Sequence, residues 1–129
     1  MSELRGIGQI AISVTDLARQ VAFYRDVLGL TFLFEVPGQN MAFLQAGSVR
    51  LYLDGNDTSA PGQVESRPVL YFDVESVQGT FDELVAKGVE VLGEPHVVNR
   101  TDAHELWMAF FKDTEDNTLA LMSEKPITR

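Results

Sequence analysis

The chain has 129 residues, 45% hydrophobic and 22% charged, the proportions of an ordinary globular protein of one domain or two small half-domains. It contains no cysteine, which excludes disulfides, iron–sulfur clusters, cysteine-ligated zinc and thiol catalysis, and fits the cytoplasm. Ten Lys and Arg against nineteen Asp and Glu give a formal charge of −9; such a surface repels phosphate backbones and anionic lipid, so a small molecule is the expected partner, with no nucleic acid and no membrane.

The first element is Ile10-Ala11-Ile12-Ser13-Val14, apolar at every second position as in a half-buried strand. Asp16 then offers a short side-chain oxygen to a free helical N–H. Leu17, Val21 and Tyr24 follow at helical spacing, and Leu28-Gly29-Leu30 stops the helix. The period returns to two over Leu30 to Val36, Met41 to Gln45 and Val49 to Leu53. Pro37 to Asn40 and Ala46-Gly47-Ser48 are the turns between them.

About sixty residues on, the pattern recurs. Leu70 to Val74 is the strand, Ser76 the cap, Val77, Phe81 and Leu84 the helix stripe, and Lys87-Gly88-Val89 the stop. The two helices differ by one residue. Strands follow at about Val89 to Val98, His104 to Phe111 and Thr118 to Met122. The polar stretch Gly55 to Ser66 reads as a linker. The expected organisation is a first βαβββ module over 6–54, a linker over 55–66, a second βαβββ module over 67–124 and a tail over 125–129. The fold class is α+β, two βαβββ modules whose mixed sheets form a concave half-barrel cup, a natural place for a ligand.

Three stretches carry a resemblance. They are Gln9 to Leu17, then Phe23-Tyr24-Arg25-Asp26-Val27-Leu28-Gly29-Leu30, and finally Phe110 to Leu121. Together they resemble the vicinal-oxygen-chelate superfamily, also called the glyoxalase/bleomycin-resistance/extradiol-dioxygenase fold, over roughly residues 6 to 124. The second stretch matches the FYxxxLGL helix end. The third matches an F-x-D-P-x-G-N turn, with Thr114 in place of the proline and Asp116 in place of the glycine. The resemblance implies a homodimer, with the cup built either within one chain or across two. It also implies chemistry that varies widely on one fold.

Metal enzymes of that superfamily use four inward-facing His, Gln or Glu side chains. Carried over by position, these fall on Gln9, Tyr52, Val69 and Ala120. A divalent ion needs several N or O donors. Valine and alanine supply none, and a one-residue shift at either position brings in only Pro68, Leu70, Leu119 or Leu121. No cofactor is therefore expected, and a divalent metal enters only through a displaced site.

If those four face inward, alternation brings Ala11, Ser13, Arg50, Tyr71, Asp73, Thr118 and Met122 with them. Relatives resembling fosfomycin-resistance enzymes place a ligand contact three residues before the turn aspartate, which is Phe110 here, and alternation adds Met108, Leu106 and His104. The candidate ligand-binding set is Gln9, Ser13, Arg50, Tyr52, Tyr71, His96, His104, Met108, Phe110, Thr118 and Met122. His104 is the candidate general base, since imidazole titrates near neutrality; alternatively it is a hairpin residue satisfied by Glu105 or Asp102. A three-residue turn over Thr101 to Ala103 sets Arg100 opposite His104, Val98 opposite Leu106 and His96 opposite Met108, with both histidines inward and roughly 10–14 Å apart. A four-residue turn turns His96 outward. His96 is otherwise a strand-start residue after Glu94-Pro95. Arg50 with Tyr52 suits a carboxylate, or Arg50 is a solvated strand end. Trp107 falls on the helix side as a packing residue, and Asp73 at a rim.

Two functions of different classes follow. The first is a metal-free binding protein for a small aromatic or apolar compound. The second is a lyase, isomerase or dioxygenase-type enzyme using acid–base chemistry or a displaced divalent metal. A structural or regulatory dimer is a third.

Overall fold

The computed structural model describes residues 5–56 and 68–127. Most of the expected linker therefore lies outside the described residues. The chain divides into two compact units, Met1–Arg67 and Pro68–Arg129. Each holds one four-stranded mixed sheet and one helix, so the protein is α+β with two modules.

In the first unit the elements are β1 (Gln9–Ser13), α1 (Leu17–Ala22), β2 (Thr31–Val36), β3 (Met41–Ala46) and β4 (Val49–Asp54). The sheet order is β1-β4-β3-β2; β1 runs parallel to β4, and the other pairs are antiparallel. Asp16 caps α1 by accepting from the Arg19 backbone N–H at 3.2 Å. The helix does not stop at Ala22 but widens into a π-helical turn over Phe23–Val27. Such a turn takes in one extra residue without breaking the helix, and this is the longer of the two helices. Gly29 then turns the chain at φ +78, a left-handed conformation that costs glycine little. Leu17, Val21 and Tyr24 pack with Ile12, Leu44, Leu51 and Leu53 to make the core of this unit.

The second unit repeats the plan with β5 (Leu70–Asp73), α2 (Val77–Ala86), β6 (His96–Arg100), β7 (His104–Lys112) and β8 (Thr118–Pro126). Its sheet order is β5-β8-β7-β6. Ser76 caps α2 through the Gly79 N–H at 3.0 Å. Val77, Phe81 and Leu84 are buried with Phe111, Leu119 and Leu121.

Three expectations need correction here. The strand expected from Val89 begins only at His96, with Val91 making an isolated bridge to Phe111. Gly93 at φ +96 and Pro95, which has no N–H, interrupt the run. The last strand extends beyond Met122 to Pro126, because β7 starts at His104 and pairs along its whole length. In the β6–β7 hairpin, Arg100 opposes Glu105 rather than His104, and Asn99 rather than Val98 opposes Leu106. The connection has four residues, 101–104, which alone turns His96 outward. A bulge at Val98 adds one residue to β6 and restores the alternation, so His96 does oppose Met108. A matching bulge at Leu33 lies in β2, the corresponding strand of the first unit.

The turn between β7 and β8 departs from the F-x-D-P-x-G-N pattern yet keeps its geometry. Asp116 sits at φ +68, a left-handed conformation that aspartate tolerates better than most residues. Asp113 organises the turn. Its Oδ1 accepts from the backbone N–H groups of Glu115 and Asn117, both at 2.9 Å, and its Oδ2 accepts from Asn117 Nδ2 at 2.8 Å. Asp113→Ala strands these buried donors. It should destabilise the fold by about 1–3 kcal/mol, read as a lower urea midpoint at unchanged slope.

Candidate functional site

Within each unit, alternation divides the sheet into two faces of opposite chemistry. In the first unit, Ile10, Ile12, Leu51, Leu53, Leu44 and Ala42 share the face that α1 covers. The other face bears no helix. Across its centre the register lines up Ala11, Tyr52, Phe43 and Phe34, one from each strand. The three rings form a continuous stack. Phe34 and Phe43 lie 4.6 Å apart between centroids at 27°, and Phe43 and Tyr52 lie 4.9 Å apart at 14°. These distances match the spacing of neighbouring strands, so the sheet itself sets the stack. Phe43 is 8% exposed and Phe34 44%.

Mostly polar residues flank this row. On one side Gln9, Arg50 and Gln45 are register partners, and on the other Ser13, Asp54 and Met41. The Arg50 guanidinium carbon is 5.9 Å from the Phe43 ring centroid, a cation–π contact. The Tyr52 phenol is held above its ordinary value of 10.0, chiefly by partial burial, then by the negative charge of Asp54 and a hydrogen bond to it.

In the second unit the helix-free face carries Tyr71, Asp73, Thr118, Ala120, Met122, Leu106, Met108, Phe110 and His96. Tyr71 and Phe110 meet edge to face at 6.0 Å, and His96 stacks on Phe110 at 6.4 Å and 28°. His96 Nδ1 is 3.0 Å from the Glu94 carbonyl oxygen. Trp107 lies on the helix side, paired with Val97 and Ser123, and its indole N–H reaches Glu105 at 3.4 Å.

Thus Gln9, Ser13, Arg50 and Tyr52 come together on one helix-free face, and Tyr71, His96, Met108, Phe110, Thr118 and Met122 on the other. His104 stands apart. It pairs with Pro126 at the hairpin end of β7 and is exposed, with its backbone N–H held by Thr101 Oγ1 at 3.0 Å. His96 lies four residue pairs away, about 13 Å by strand rise. A cleft of about 530 Å³ lined by Arg100, Thr101, Asp102, Glu105 and Ile127 opens at the same hairpin. It lies at the hairpin end of the second sheet, away from Phe110 on β7, and Arg100 and Glu105 in its wall already form an ion pair.

Sequence reasoning missed Phe34 and Phe43. Reading Gly47-Ser48 as a two-residue turn sets Ala46 opposite Val49 and hence Phe43 opposite Tyr52, as found. The bulge at Leu33, which brings Phe34 onto this face, left no comparable signal.

The four positions to which the resemblance assigns metal ligands hold Gln9, Tyr52, Val69 and Ala120. Two have no donor atom, so this set does not fit a divalent ion. Among the described residues, no group of three or more His, Asp or Glu side chains is placed to hold one. Among the described residues, also, no helix is long and apolar enough to cross a membrane.

Residues 6–121 match the model of the Glyoxalase/Bleomycin resistance protein/Dioxygenase superfamily. The chain belongs to this superfamily. It is 29% identical over 123 residues to the uncharacterized protein YraH of Bacillus subtilis (strain 168), covering 88% of this chain and 94% of that one. Metallothiol transferase FosB of Staphylococcus epidermidis is 37% identical over 51 residues, covering 40% of this chain and 35% of FosB. Among solved structures, TnmS3, an antibiotic binding protein from Streptomyces sp. CB03234, shares the fold at a TM-score of 0.72 and 21% identity, covering 97% of this chain and all of TnmS3.

The Tyr52 environment gives a direct test. A phenol with a raised folded pKa contributes stability that is present below its unfolded value and lost as pH rises through the folded one. Ultraviolet titration should therefore show a phenolate transition above pH 10.0 that disappears in Tyr52→Phe. Asp54→Asn removes the neighbouring charge and should move that transition down toward the ordinary value.

Proposed function

We propose that this protein binds a small aromatic or apolar compound on the helix-free faces of its sheets, without a metal. The stacked row of Phe34, Phe43 and Tyr52 carries the reading. Aromatic rings presented in a row on a sheet face offer a ligand both apolar contact and stacking geometry, worth about 0.5–1.5 kcal/mol per ring pair beyond area burial. Gln9, Ser13 and Arg50 beside the row, and His96 beside Phe110, supply the few polar groups that orient a ligand. The shared fold with an antibiotic binding protein supports the same class of function. The alternative of catalysis by His104 gains little from its position, since it stands at the hairpin end of β7, six residues from Phe110. A cytoplasmic homodimer is the setting we infer, from the cysteine-free sequence and the family resemblance.

Calorimetric titration with 2-naphthol tests this. Trp107 faces the helix side, so its fluorescence is a poor reporter of the aromatic faces. Saturable binding is expected, unchanged by a chelator and weakened in Phe34→Ala or Phe110→Ala. Absence of saturable binding, or binding that a chelator abolishes and a divalent ion restores, overturns the reading.

A further inference from the structure

The aromatic row of the first unit ends one place short of the sheet edge. Its rings repeat at 4.6 and 4.9 Å, following strand spacing. The next place, about 4.8 Å beyond Tyr52, lies over β1, the edge strand of the sheet. The residue there is Ala11, the direct register partner of Tyr52. A methyl group fills almost none of the height that a ring occupies, and Ala11 is exposed. The face of Tyr52 that looks toward β1 thus has no ring against it from its register partner.

The ends of this place are polar. Gln9 and Ser13 precede and follow Ala11 by two residues and share its face. They stand about 13 Å apart along the strand. Rings stacked across strands have planes that run along the strand direction. A ring over Ala11 would therefore point its two edges at the Gln9 amide and the Ser13 hydroxyl, each able to donate and to accept.

We propose that this place is a binding site for one flat, fused aromatic ring system bearing polar groups at opposite edges. The ring completes a four-membered stack on Tyr52, and Gln9 and Ser13 hold its two ends. The proposal rests on the binding function inferred above and narrows it to one face and one ligand class. The row explains the preference for a flat ligand. A puckered ring of similar size cannot lie against Tyr52 over its whole face, so it forfeits the stacking while keeping the polar contacts.

The probe is 2,6-dihydroxynaphthalene, with its saturated counterpart decalin-2,6-diol as control, each titrated calorimetrically into the full chain. The naphthalenediol should bind roughly tenfold or more tightly than the decalindiol. Ala11→Phe supplies the missing ring from the chain itself and should weaken naphthalenediol binding by roughly tenfold or more. Tyr52→Leu should cost about 3- to 10-fold.

A second measurement does not depend on any variant folding. In the parent protein, a ring standing edge-on over Ala11 brings the Ala11 methyl close to its plane and shifts that methyl proton resonance downfield as the probe is added. No such shift at saturating probe overturns the site. If Ala11→Phe binds the naphthalenediol unchanged while Phe110→Ala loses it, the site over Ala11 falls but the broader binding function stands, placed on the second unit. If the parent binds neither this probe nor 2-naphthol, both fall.

Discussion

Each unit depends on keeping two-residue alternation in phase across four strands. One face must hold aliphatic side chains under a helix, and the other holds the aromatic rows. A slip of one residue exchanges the faces of a whole strand, burying polar groups and exposing core. Both outer strands carry an extra residue, at Leu33 in β2 and at Val98 in β6. Without the first bulge Phe34 would oppose Ala42 on the helix face, and the stack with Phe43 would not form. Without the second, a four-residue hairpin connection would turn His96 away from Phe110. The bulges lie on edge strands, where an irregular ladder costs least because only one neighbour must adjust.

The faces that result are unusual for a surface. Phe34 and Tyr71 are 44% and 47% exposed. Isolated exposed rings need no explanation, but Phe34 belongs to the stacked row of the first unit and Tyr71 meets Phe110 in the second, and clustered exposed apolar groups mark interaction sites. The chemistry on the row explains why metal catalysis is a poor fit. Of the four positions to which the resemblance carries metal donors, Val69 and Ala120 supply none, and the register partners of Ala120 are Tyr71 and Phe110. A divalent ion would gain too few oxygen or nitrogen contacts to offset its lost hydration. A planar organic molecule can instead stack on an open ring face at the end of the row.

Much of this was legible in the sequence because repetition and period are strong signals. The sixty-residue offset, the Asp16 and Ser76 caps and the glycine stops located both modules, the family resemblance implied that Gln9, Tyr52 and Phe110 face the ligand side, and alternation added Tyr71 to them. What escaped depends on single-residue insertions. A bulge has no composition of its own, so neither Phe34 nor the true partners of Arg100 and Leu106 were readable. His104 illustrates the same limit. Alternation put it on the correct face of β7, but face alone gives no position along the strand, and the hairpin carried it away from the aromatic cluster.

The two units also differ in a way that bears on where a ligand ring can sit. Ala11 and Tyr71 occupy equivalent places on β1 and β5, and Tyr52 and Ala120 occupy equivalent places on β4 and β8. The small and the large residue are thus exchanged between repeats. In the second unit the alanine lies inside the sheet, flanked by Tyr71 and Phe110. Two strand spacings would hold those rings almost 10 Å apart, yet their centroids are 6.0 Å apart and Ala120 is fully buried. The rings lean together and close the gap. In the first unit the alanine lies on the edge strand, with a ring on one side only, and nothing of its own row leans over it. The same pair of residues thus gives a filled place in one sheet and an open one in the other, and the difference follows from which strand carries the methyl group.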